Sequence, residues 1–440
     1  MIADSFSSNS STYNEAAIIM YVDMNSFFAS CEQALRPDLR GRPIGVTAGD
    51  KYYAVIIAPS NEAKRLGIRT GMRMTEARQI CPYIQGVNAR PVEYRKAHIK
   101  IMNVLRRYSD DILPKSIDEA AVNLTAYKLV YKDLIGLAKQ IKADLLPEIT
   151  EYVTCSIGFA PNTFLAKLAT DLQKPNGIVQ ITPENIDSCL AGLQLTDLPG
   201  IARRNARRLE MIGIKSPLEM RHTSESLLRK AFGGVAGSYW HRRLNFGEVD
   251  YYLNDYRAMS ATRTTSPEYR TPDKLDALFV SLCTKLEQRL VKAGRFCRQA
   301  SFFIRYKNGT GWDTAMRFTN PLQDALELYR FIRQKIEAFE IEHSFTLLNP
   351  ETKQMGITIT DFVDDDKLQY SLFDNRMKQD TVRKVMYQIK DKYGKYAVRK
   401  ATETVEKSHM KDAIGFGSVK DLMGTQDEGF NQFLLEDVDE

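Results

Sequence analysis

Short apolar runs alternate with amphipathic helical stretches along the first 180 or so residues. Residues 18–22 are a continuous apolar run, which predicts a buried strand that stops at Asp23. Residues 26–35 carry apolar side chains every three to four positions, which predicts a helix ended by Arg36-Pro37. Similar patterns predict a strand at 54–58, a helix at 61–66 and long helices at 92–109 and 126–145. This alternation indicates an α/β or α+β domain.

The second half of the chain has a different pattern. From about residue 181 it is purely helical, and a polar stretch at 245–260 then predicts a linker. Strands at 300–306 and 356–362 alternate with helices at 274–293 and 323–338, which predicts a separate α+β domain. The last 75 or so residues are highly charged, and 424–440 contains six acidic residues and no basic one. We expect this end to be flexible.

Length and composition narrow the class of protein. A chain of 440 residues is longer than one compact core usually holds, so several domains are expected. No apolar run approaches the ~18 residues of a membrane span, and residues 1–15 lack the basic start and apolar stretch of a secretory signal. The six cysteines form no C-x-x-C pair, which argues against a thiolate zinc site or disulfide scaffold. We expect a soluble intracellular protein.

Positive charge is concentrated in one segment. The whole chain has a net charge of +6, but residues 257–320 contain twelve basic and five acidic residues, a net of +7. Within it, Ser301, Phe303 and Arg305 alternate with apolar neighbours, so one face of a strand can be basic while the other packs. Such a surface suits a polyanionic partner, and a solvated charged face is the alternative.

Three carboxylates are candidates for a metal site. Asp23 follows the first predicted strand, and Asp118-Glu119 lie in the stretch 115–120. Magnesium prefers carboxylate oxygens and shares phosphate ligands with a substrate, and two such ions can support attack by a 3′-hydroxyl with release of pyrophosphate. Adjacent residues on a regular strand point to opposite faces, so Asp118 and Glu119 can act together only at a turn or bulge. Helix capping or solvated loop positions are the alternatives.

Several spaced motifs strongly resemble the Y-family translesion DNA polymerases of the bacterial polymerase IV and polymerase V catalytic-subunit type. The resemblance covers roughly residues 16–400. Its motifs occur in one order: residues 23–32 (DMNSFFASCE), 60–68 (SNEAKRLGI), 116–120 (SIDEA), 156–158 (SIG), 165–169 (LAKLA), 174–178 (KPNGI) and 198–201 (LPGI).

The resemblance implies an α+β multidomain polymerase with the shape of a right hand. The implied parts are an N-terminal extension at 1–15, a palm at 16–26 and 91–180, fingers at 27–90, a helical thumb with a helix-hairpin-helix at 181–248, a linker at 249–257, an α+β little finger at 258–362 and a C-terminal tail with a clamp-binding motif at 363–440. The family's little finger is a four-stranded sheet with two helices that grips duplex DNA.

The resemblance also implies an active site. Asp23, Asp118 and Glu119 would be the catalytic metal ligands for two Mg²⁺ ions, with the Met24 carbonyl as a further ligand. Phe28 matches the steric gate that excludes ribonucleotides, with a role in the core as the alternative. The remaining nucleotide-binding positions are Phe27, Lys64 and Lys174. The chain departs from the archaeal pattern at Asn61, where tyrosine is common, and at Lys64, where arginine is common; lysine there is similar to the polymerase V subunit.

Further matches concern DNA and protein partners. The implied DNA-binding residues are Gly200, Ile201 and Arg203 of the hairpin and Arg298 and Arg305 of the little finger. The usual second glycine of the hairpin is Ala202, which we expect to make the turn less permissive. The sequence Gln-x-x-Leu-Phe resembles a bacterial sliding-clamp motif, whose contacts would be Gln369, Leu372 and Phe373.

Together these matches imply a low-fidelity DNA-directed DNA polymerase that extends primers on damaged templates, in DNA repair, the SOS response and mutagenesis. Its expected partners are primer–template DNA, dNTPs, the sliding clamp and, for a polymerase V-like subunit, accessory mutagenesis proteins. We expect a cytoplasmic, nucleoid-associated monomer. The alternative is a non-catalytic DNA- and clamp-binding protein on a retained polymerase scaffold.

Overall fold

The computed structural model describes residues 17–48, 54–251, 257–369, 375–394 and 397–398. The described chain forms two compact units, the first ending at Tyr251 and the second beginning at Arg257. Each unit combines helices with sheet, so the predicted α+β multidomain architecture is confirmed. Among the described helices, none combines the length and the apolar character that crossing a bilayer requires.

The strands of the described residues, in chain order, are β1 (Ile19–Met24), β2 (Ile44–Thr47), β3 (Ile56–Pro59), β4 (Gln85–Asn88), β5 (Ile112–Pro114), β6 (Glu119–Asn123), β7 (Cys155–Ala160), β8 (Ile178–Gln180), β9 (Ala258–Thr264), β10 (Arg295–Tyr306), β11 (Gly311–Leu322) and β12 (Thr352–Asp364). The α-helices are α1 (Phe27–Leu35), α2 (Asn61–Arg65), α3 (Met74–Ile80), α4 (Pro91–Leu105), α5 (Leu134–Glu148), α6 (Thr163–Leu172), α7 (Ile186–Ala191), α8 (Arg203–Glu210), α9 (Pro217–His222), α10 (Glu225–Phe232), α11 (Val235–Leu244), α12 (Pro272–Lys292), α13 (Ala325–His343) and α14 (Arg376–Tyr393).

Strand β1 is the centre of a five-stranded sheet with the order β5-β6-β1-β7-β8. Its side chains alternate between two cores: Met20 and Val22 pack with α1, α4 and α5, whereas Ile19 and Tyr21 pack with α6 and the helices after it. Because both faces of the strand are covered, its sequence is a continuous apolar run. The predicted buried strand is therefore confirmed.

A smaller sheet with the order β3-β2-β4 lies in the same unit. Together with α2 and α3 it encloses a small core that includes Ile56, Ala63 and Met74. Helix α2 starts after Ser60, whose hydroxyl accepts a hydrogen bond from the Ala63 amide. The predicted strand and helix of this region are confirmed within two residues.

The later part of the first unit consists of helices α7–α11, as the pattern after residue 181 predicts. One predicted helix differs in its limits. The helix expected at 126–145 begins only at Leu134, because the Asp133 side chain accepts a hydrogen bond from the Gly136 amide and caps the helix there. A single 3₁₀ turn occupies residues 125–127.

The second unit has a four-stranded antiparallel sheet with the order β11-β10-β12-β9. Phe302, Ile304 and Tyr306 of β10 point into a core shared with α12 and α13, whereas Ser301 and Arg305 are exposed. The predicted two-face pattern of this strand is therefore confirmed.

The C-terminal region corrects an expectation. We expected the last 75 or so residues to be flexible, but residues 376–393 form α14, which packs on α12. The acidic stretch 424–440 lies outside the described residues. Its buried face is polar: Arg383 donates to Asp380 Oδ1 at 2.5 Å and to Asp324 Oδ2 at 3.0 Å, and Tyr387 donates to Glu287 Oε1 at 2.9 Å. The pattern misled us because charged side chains are usually solvated, whereas these pair with buried acids elsewhere in the unit.

Candidate active site

Two of the three candidate carboxylates, Asp23 and Glu119, lie on one face of the five-stranded sheet, and Asp118 is next to Glu119 in the chain. Asp23 lies two residues after Tyr21 on β1 and so shares the face that packs against α6. In the antiparallel register of β1 and β6, Asp23 is opposite Glu119. Asp118 precedes β6 in a bend, and its carbonyl accepts a hydrogen bond of 2.9 Å from the Met24 amide. The bend that Asp118 and Glu119 require in order to act together is therefore present.

Two lysines lie against these acids. Lys167 of α6 contacts Asp23 through its ammonium group, which is also 2.6 Å from Glu119 Oε1. Lys174 donates to Asp23 Oδ2 at 2.7 Å and is equally close to Asp171 Oδ1. Sequence reasoning assigned no role to Lys167, although a lysine in the apolar stretch 165–169 was a usable signal.

Burial dominates the electrostatics of the site. Burial raises the pKa of Asp118, and the nearby negative charge of Asp23 raises it further. The Ser116 hydroxyl donates a hydrogen bond to Asp118 and so acts to lower this pKa. Burial likewise raises the pKa of Glu119, against the attraction of Lys167. Burial acts in the same direction on Asp23, but Lys167 and Lys174 outweigh it and hold the pKa of Asp23 below its ordinary value. Two of the three acids are thus only partly neutralised by the protein.

The acid cluster has the chemistry of a divalent-cation site. Among the described residues, no three His, Cys, Asp or Glu side chains are gathered closely enough to hold an ion as they stand. Lysine ammonium groups lie against Asp23 and Glu119 instead. Buried carboxylate oxygens with incomplete charge compensation are suitable donors for a hard cation, which would replace the ammonium groups.

Asn25 positions the turn that carries Lys174, a role that sequence analysis did not predict. The Asn25 Oδ1 atom accepts a hydrogen bond of 2.7 Å from the Asn176 amide, and its Nδ2 donates to the Ser156 hydroxyl at 3.1 Å. The turn that carries Lys174 is thereby fixed to the end of β1. Lys64 of α2 is close enough for Lys174 and Asp23 to influence its charge, and burial lowers the pKa of Lys64. The structure thus places Lys174 against the carboxylates and Lys64 within range of the Asp23 charge.

The candidate steric gate is part of an aromatic cluster. The rings of Phe28 and Tyr94 stack with centroids 4.4 Å apart and planes 11° apart, and Phe27 lies beside both. Phe28 is only 7% exposed. The Tyr94 hydroxyl donates to Glu32 Oε1 at 2.8 Å, and Arg90 makes a salt bridge with the same carboxylate at 2.6 Å. The position of the Phe28 ring is therefore fixed by its neighbours.

The predicted hairpin forms a turn before α8. Gly200 has a φ of +91°, which favours glycine, and the buried Ile201 donates its amide to the Leu198 carbonyl at 2.9 Å. Ala202 has a φ of −91° and a ψ of 171°, so an alanine fits without strain and our expectation of a less permissive turn is wrong. Arg203 follows as the first, exposed residue of α8.

The other candidate DNA-binding residues belong to the second unit. Arg298 and Arg305 are both exposed on β10. In a regular strand, Arg298 would be on the same face as the buried Phe302 and Ile304. It is exposed because the pairing of β10 with β11 shifts register at this position. Of the clamp-binding candidates, Gln369 is exposed, and Leu372 and Phe373 lie outside the described residues.

Comparison with known proteins places the chain in a family. The impB/mucB/samB family model matches residues 22–171, and the model of that family's C-terminal domain matches residues 257–372. DNA polymerase IV 1 of Bacillus subtilis (strain 168) is 28% identical over 412 residues, which cover 90% of this chain and 95% of that protein. DNA polymerase IV of Salmonella choleraesuis (strain SC-B67) is 31% identical over 273 residues, or 62% of this chain and 77% of that protein.

Solved structures agree at the level of the fold. The Y-family DNA polymerase chimera Dbh-Dpo4(243-245)-Dbh matches with a TM-score of 0.67 at 23% identity, covering 79% of this chain and 99% of that one. An insertion ternary complex of Dbh DNA polymerase matches over the same shares with a TM-score of 0.54. The chain belongs to the impB/mucB/samB family, the Y-family translesion DNA polymerases.

Proposed function

We propose that Asp23, Asp118 and Glu119 hold two Mg²⁺ ions and form the nucleotidyl-transfer site of this polymerase. The observation that supports this most is the cross-strand pairing of Asp23 with Glu119, with Asp118 in the adjoining bend. When bound, magnesium would neutralise phosphate charge and acidify the primer 3′-hydroxyl that attacks the α-phosphate. The Met24 carbonyl, at the end of β1, is a further candidate ligand.

The protein's own cations would bind the triphosphate. Lys174 pairs with Asp23 and Asp171. We propose that its ammonium group leaves these acids and pairs with a phosphate oxygen when the carboxylates bind metal. Lys64 of α2 would add a second ammonium group. Lysines act as point charges, so they would neutralise the phosphates without the bidentate geometry of an arginine.

The aromatic residues at the start of α1 would select the sugar. Phe28, with Phe27 next to it, is held in place by Tyr94, so its ring cannot easily move aside. A rigid ring beside the sugar would collide with a 2′-hydroxyl and exclude ribonucleotides.

Two surfaces would hold DNA through its backbone. In the first unit, the turn at Gly200 and Ile201 leads into α8, and the start of that helix with the exposed Arg203 would contact a phosphate. In the second unit, the exposed Arg298 and Arg305 on β10 would contact duplex phosphates. Neither surface needs to read a base, which is consistent with copying any template.

The proposed organisation follows the family. Residues 16–26 and 91–180 would be the palm, 27–90 the fingers, 181–248 the thumb, 249–257 the linker and 258–362 the little finger. We further propose binding to the sliding clamp through Gln369, Leu372 and Phe373, action in the bacterial cytoplasm, and accessory mutagenesis proteins as possible partners.

A primer-extension assay tests the central proposal. Asp118→Asn keeps the size of the side chain but removes a negative oxygen, so we expect extension by the purified chain to fall at least a thousandfold while DNA binding is retained. Lys139→Met, an exposed change on α5, is the control and should extend normally. If Asp118→Asn extended primers at the wild-type rate, the assigned metal site would be wrong. If the wild-type chain bound DNA but never extended it, the non-catalytic alternative would replace the proposal.

A further inference from the structure

A cavity of about 370 Å³ lies beside the carboxylates within the first unit. One side is formed by Tyr21 and Lys167, which contact Glu119. The other is formed by Gly200 of the hairpin turn and Trp240 of α11. The cavity therefore joins the proposed chemical site to the proposed phosphate-binding turn.

Two cations in this cavity contact the same residue, Asp250. Arg243 holds the Asp250 carboxylate in a bidentate pair, with Nε 2.8 Å from Oδ2 and Nη2 2.6 Å from Oδ1. Lys115 donates to the Asp250 backbone carbonyl. Lys167, the third cation of the cavity, is already paired with Asp23 and Glu119, so Lys115 and Arg243 are the two cations gathered at Asp250. An anion that entered this cavity would therefore have to take the place of the Asp250 carboxylate on Arg243.

The arginine is fixed before any ligand arrives. Its guanidinium lies 5.0 Å from the ring centre of Trp240 and 5.9 Å from that of Phe164. Those two rings meet edge to face at 5.3 Å. Guanidinium groups stacked on aromatic rings lose little freedom on binding, and their two parallel N–H groups match phosphate oxygens as well as carboxylate oxygens.

Lys115 ties the cavity to the catalytic bend. It stands three residues before Asp118, and burial lowers its pKa. The Lys115 amide also donates to the Glu119 carbonyl at 2.8 Å. An anion that contacted the Lys115 ammonium group would thus lie next to the residues that handle the primer terminus.

Asp250 is held in place by a neighbouring glutamate. One Glu248 oxygen accepts hydrogen bonds from the amides of Asp250 and Tyr251, at 2.7 and 3.0 Å. The other accepts from the Thr163 amide at 2.7 Å and the Thr163 hydroxyl at 2.8 Å. These contacts fix the backbone of Asp250, whereas its side chain is held only by Arg243 among the described residues and is 25% exposed.

We propose that Lys115 and Arg243 form a subsite for a backbone phosphate of the primer strand, and that the Asp250 carboxylate fills this subsite until DNA binds. The proposal rests on the proposed function, because it needs a primer end at the carboxylates. A phosphodiester has one negative charge and two exposed oxygens, so it can replace Asp250 without a change in net charge. Released pyrophosphate has the same binding chemistry and is the other possible source of the phosphate.

Equilibrium binding of primer–template to the full chain, titrated with salt, tests the subsite. Lys115→Met should weaken binding about five- to tenfold. It should also make the dependence of log Kd on log salt less steep by about 0.9, the value for one phosphate contact. Asp250→Asn removes the competing charge and should tighten binding, an effect that misfolding cannot produce. Lys139→Met should change neither quantity.

Modified primers identify the source of the phosphate. A primer with one neutral methylphosphonate linkage, moved stepwise through the last four linkages, should bind wild type weakly when the neutral linkage is at one position. Lys115→Met should show a smaller loss at that position, because only Arg243 then remains to contact the phosphate. If no linkage mattered but pyrophosphate bound wild type more tightly than Lys115→Met, the cavity would be a product site and the primer assignment would be wrong.

The outcomes separate this inference from the proposed function. These are binding measurements and need no catalysis, so loss of extension in Asp118→Asn does not affect them. If wild type extended primers while Lys115→Met and Asp250→Asn both bound DNA like wild type, the subsite would be refuted and the polymerase site would stand. If the two variants shifted binding in opposite directions but wild type failed to extend, the subsite would stand as a DNA contact.

Discussion

The ammonium nitrogen of Lys167 lies 2.6 Å from Glu119 Oε1 and also contacts Asp23, and so joins two acids from neighbouring strands. Its tyrosine neighbour completes the cluster, because the Tyr21 hydroxyl donates to Glu119 Oε2 at 3.1 Å. The lysine therefore occupies the position of a counter-ion for acids that are proposed to bind metal. Ammonium group and metal ion would compete for the same oxygens.

Replacing this lysine should make folding stability depend on metal. In Lys167→Met, Asp23 and Glu119 lose charge-assisted hydrogen bonds while largely buried, so the free energy of unfolding should fall by about 1–3 kcal/mol without metal. Saturating Mg²⁺ should restore most of that loss. Urea unfolding with and without the ion measures both effects, and Lys139→Met is the matched control. A loss that Mg²⁺ did not reverse would show that the ion does not bind at these acids.

As the pH is lowered, the affinity of this site for metal should begin to fall at a higher pH than the affinity of a site made of ordinary carboxylates. Burial raises the pKa values of Asp118 and Glu119, so each binds its proton more tightly in the folded chain, and a metal must displace that proton. Without metal, ionisation of these two acids destabilises the fold as the pH rises through their raised pKa values. Asp23 has the opposite sign: its pKa is lowered, so its stabilising contribution is lost as the pH falls through the folded value.

Calorimetry with Mn²⁺ tests this pH dependence. As the pH is lowered, the affinity should begin to decrease, and binding should begin to release protons, at a higher pH than for a free carboxylate of pKa near 4. Glu119→Gln should bind more weakly and release fewer protons. A decrease that began no earlier than for a free carboxylate would contradict the raised pKa values.

The gate residue should affect both stability and sugar selection. Phe28→Ala removes a ring that is 7% exposed and stacked on Tyr94, which should cost about 3–5 kcal/mol of unfolding free energy. We expect ribonucleotide incorporation to rise in this variant and in the less disruptive Phe28→Leu. Single-nucleotide insertion with dNTPs and rNTPs measures selectivity. Tyr94→Phe keeps the stacked ring and is the control. Ribonucleotides still excluded by both Phe28 variants would leave Phe28 as a core residue only.

Helix α14 should depend on its buried ion pairs. Arg383→Met leaves the carboxylates of Asp380 and Asp324 without this partner, and we expect about 3–5 kcal/mol of destabilisation. Tyr387→Phe removes one hydrogen bond to Glu287 and should cost about 1 kcal/mol. Amide hydrogen exchange along α14 measures its release, and Lys378→Met, an exposed change on the same helix, is the control. Unchanged exchange in Arg383→Met would mean that other contacts hold the helix.

Local sequence determined much of the fold. The continuous apolar run at 18–22 specifies a strand buried on both faces, and the period of two in β10 specifies which side chains face the core. These features depend on residues close together in the chain, so their pattern is visible without the structure. The ordered motifs likewise indicated the family.

Only the tertiary structure decided which distant groups meet. Strand register sets Asp23 opposite Glu119, and Lys167, 144 residues from Asp23, reaches both from another element. The polar face of α14 appears solvated in the sequence, yet its partner Glu287 lies 100 residues from Tyr387 and is fully buried. Local patterns fix the period and ends of an element, but a charge is neutralised by whatever folding brings beside it, and no local pattern encodes that partner.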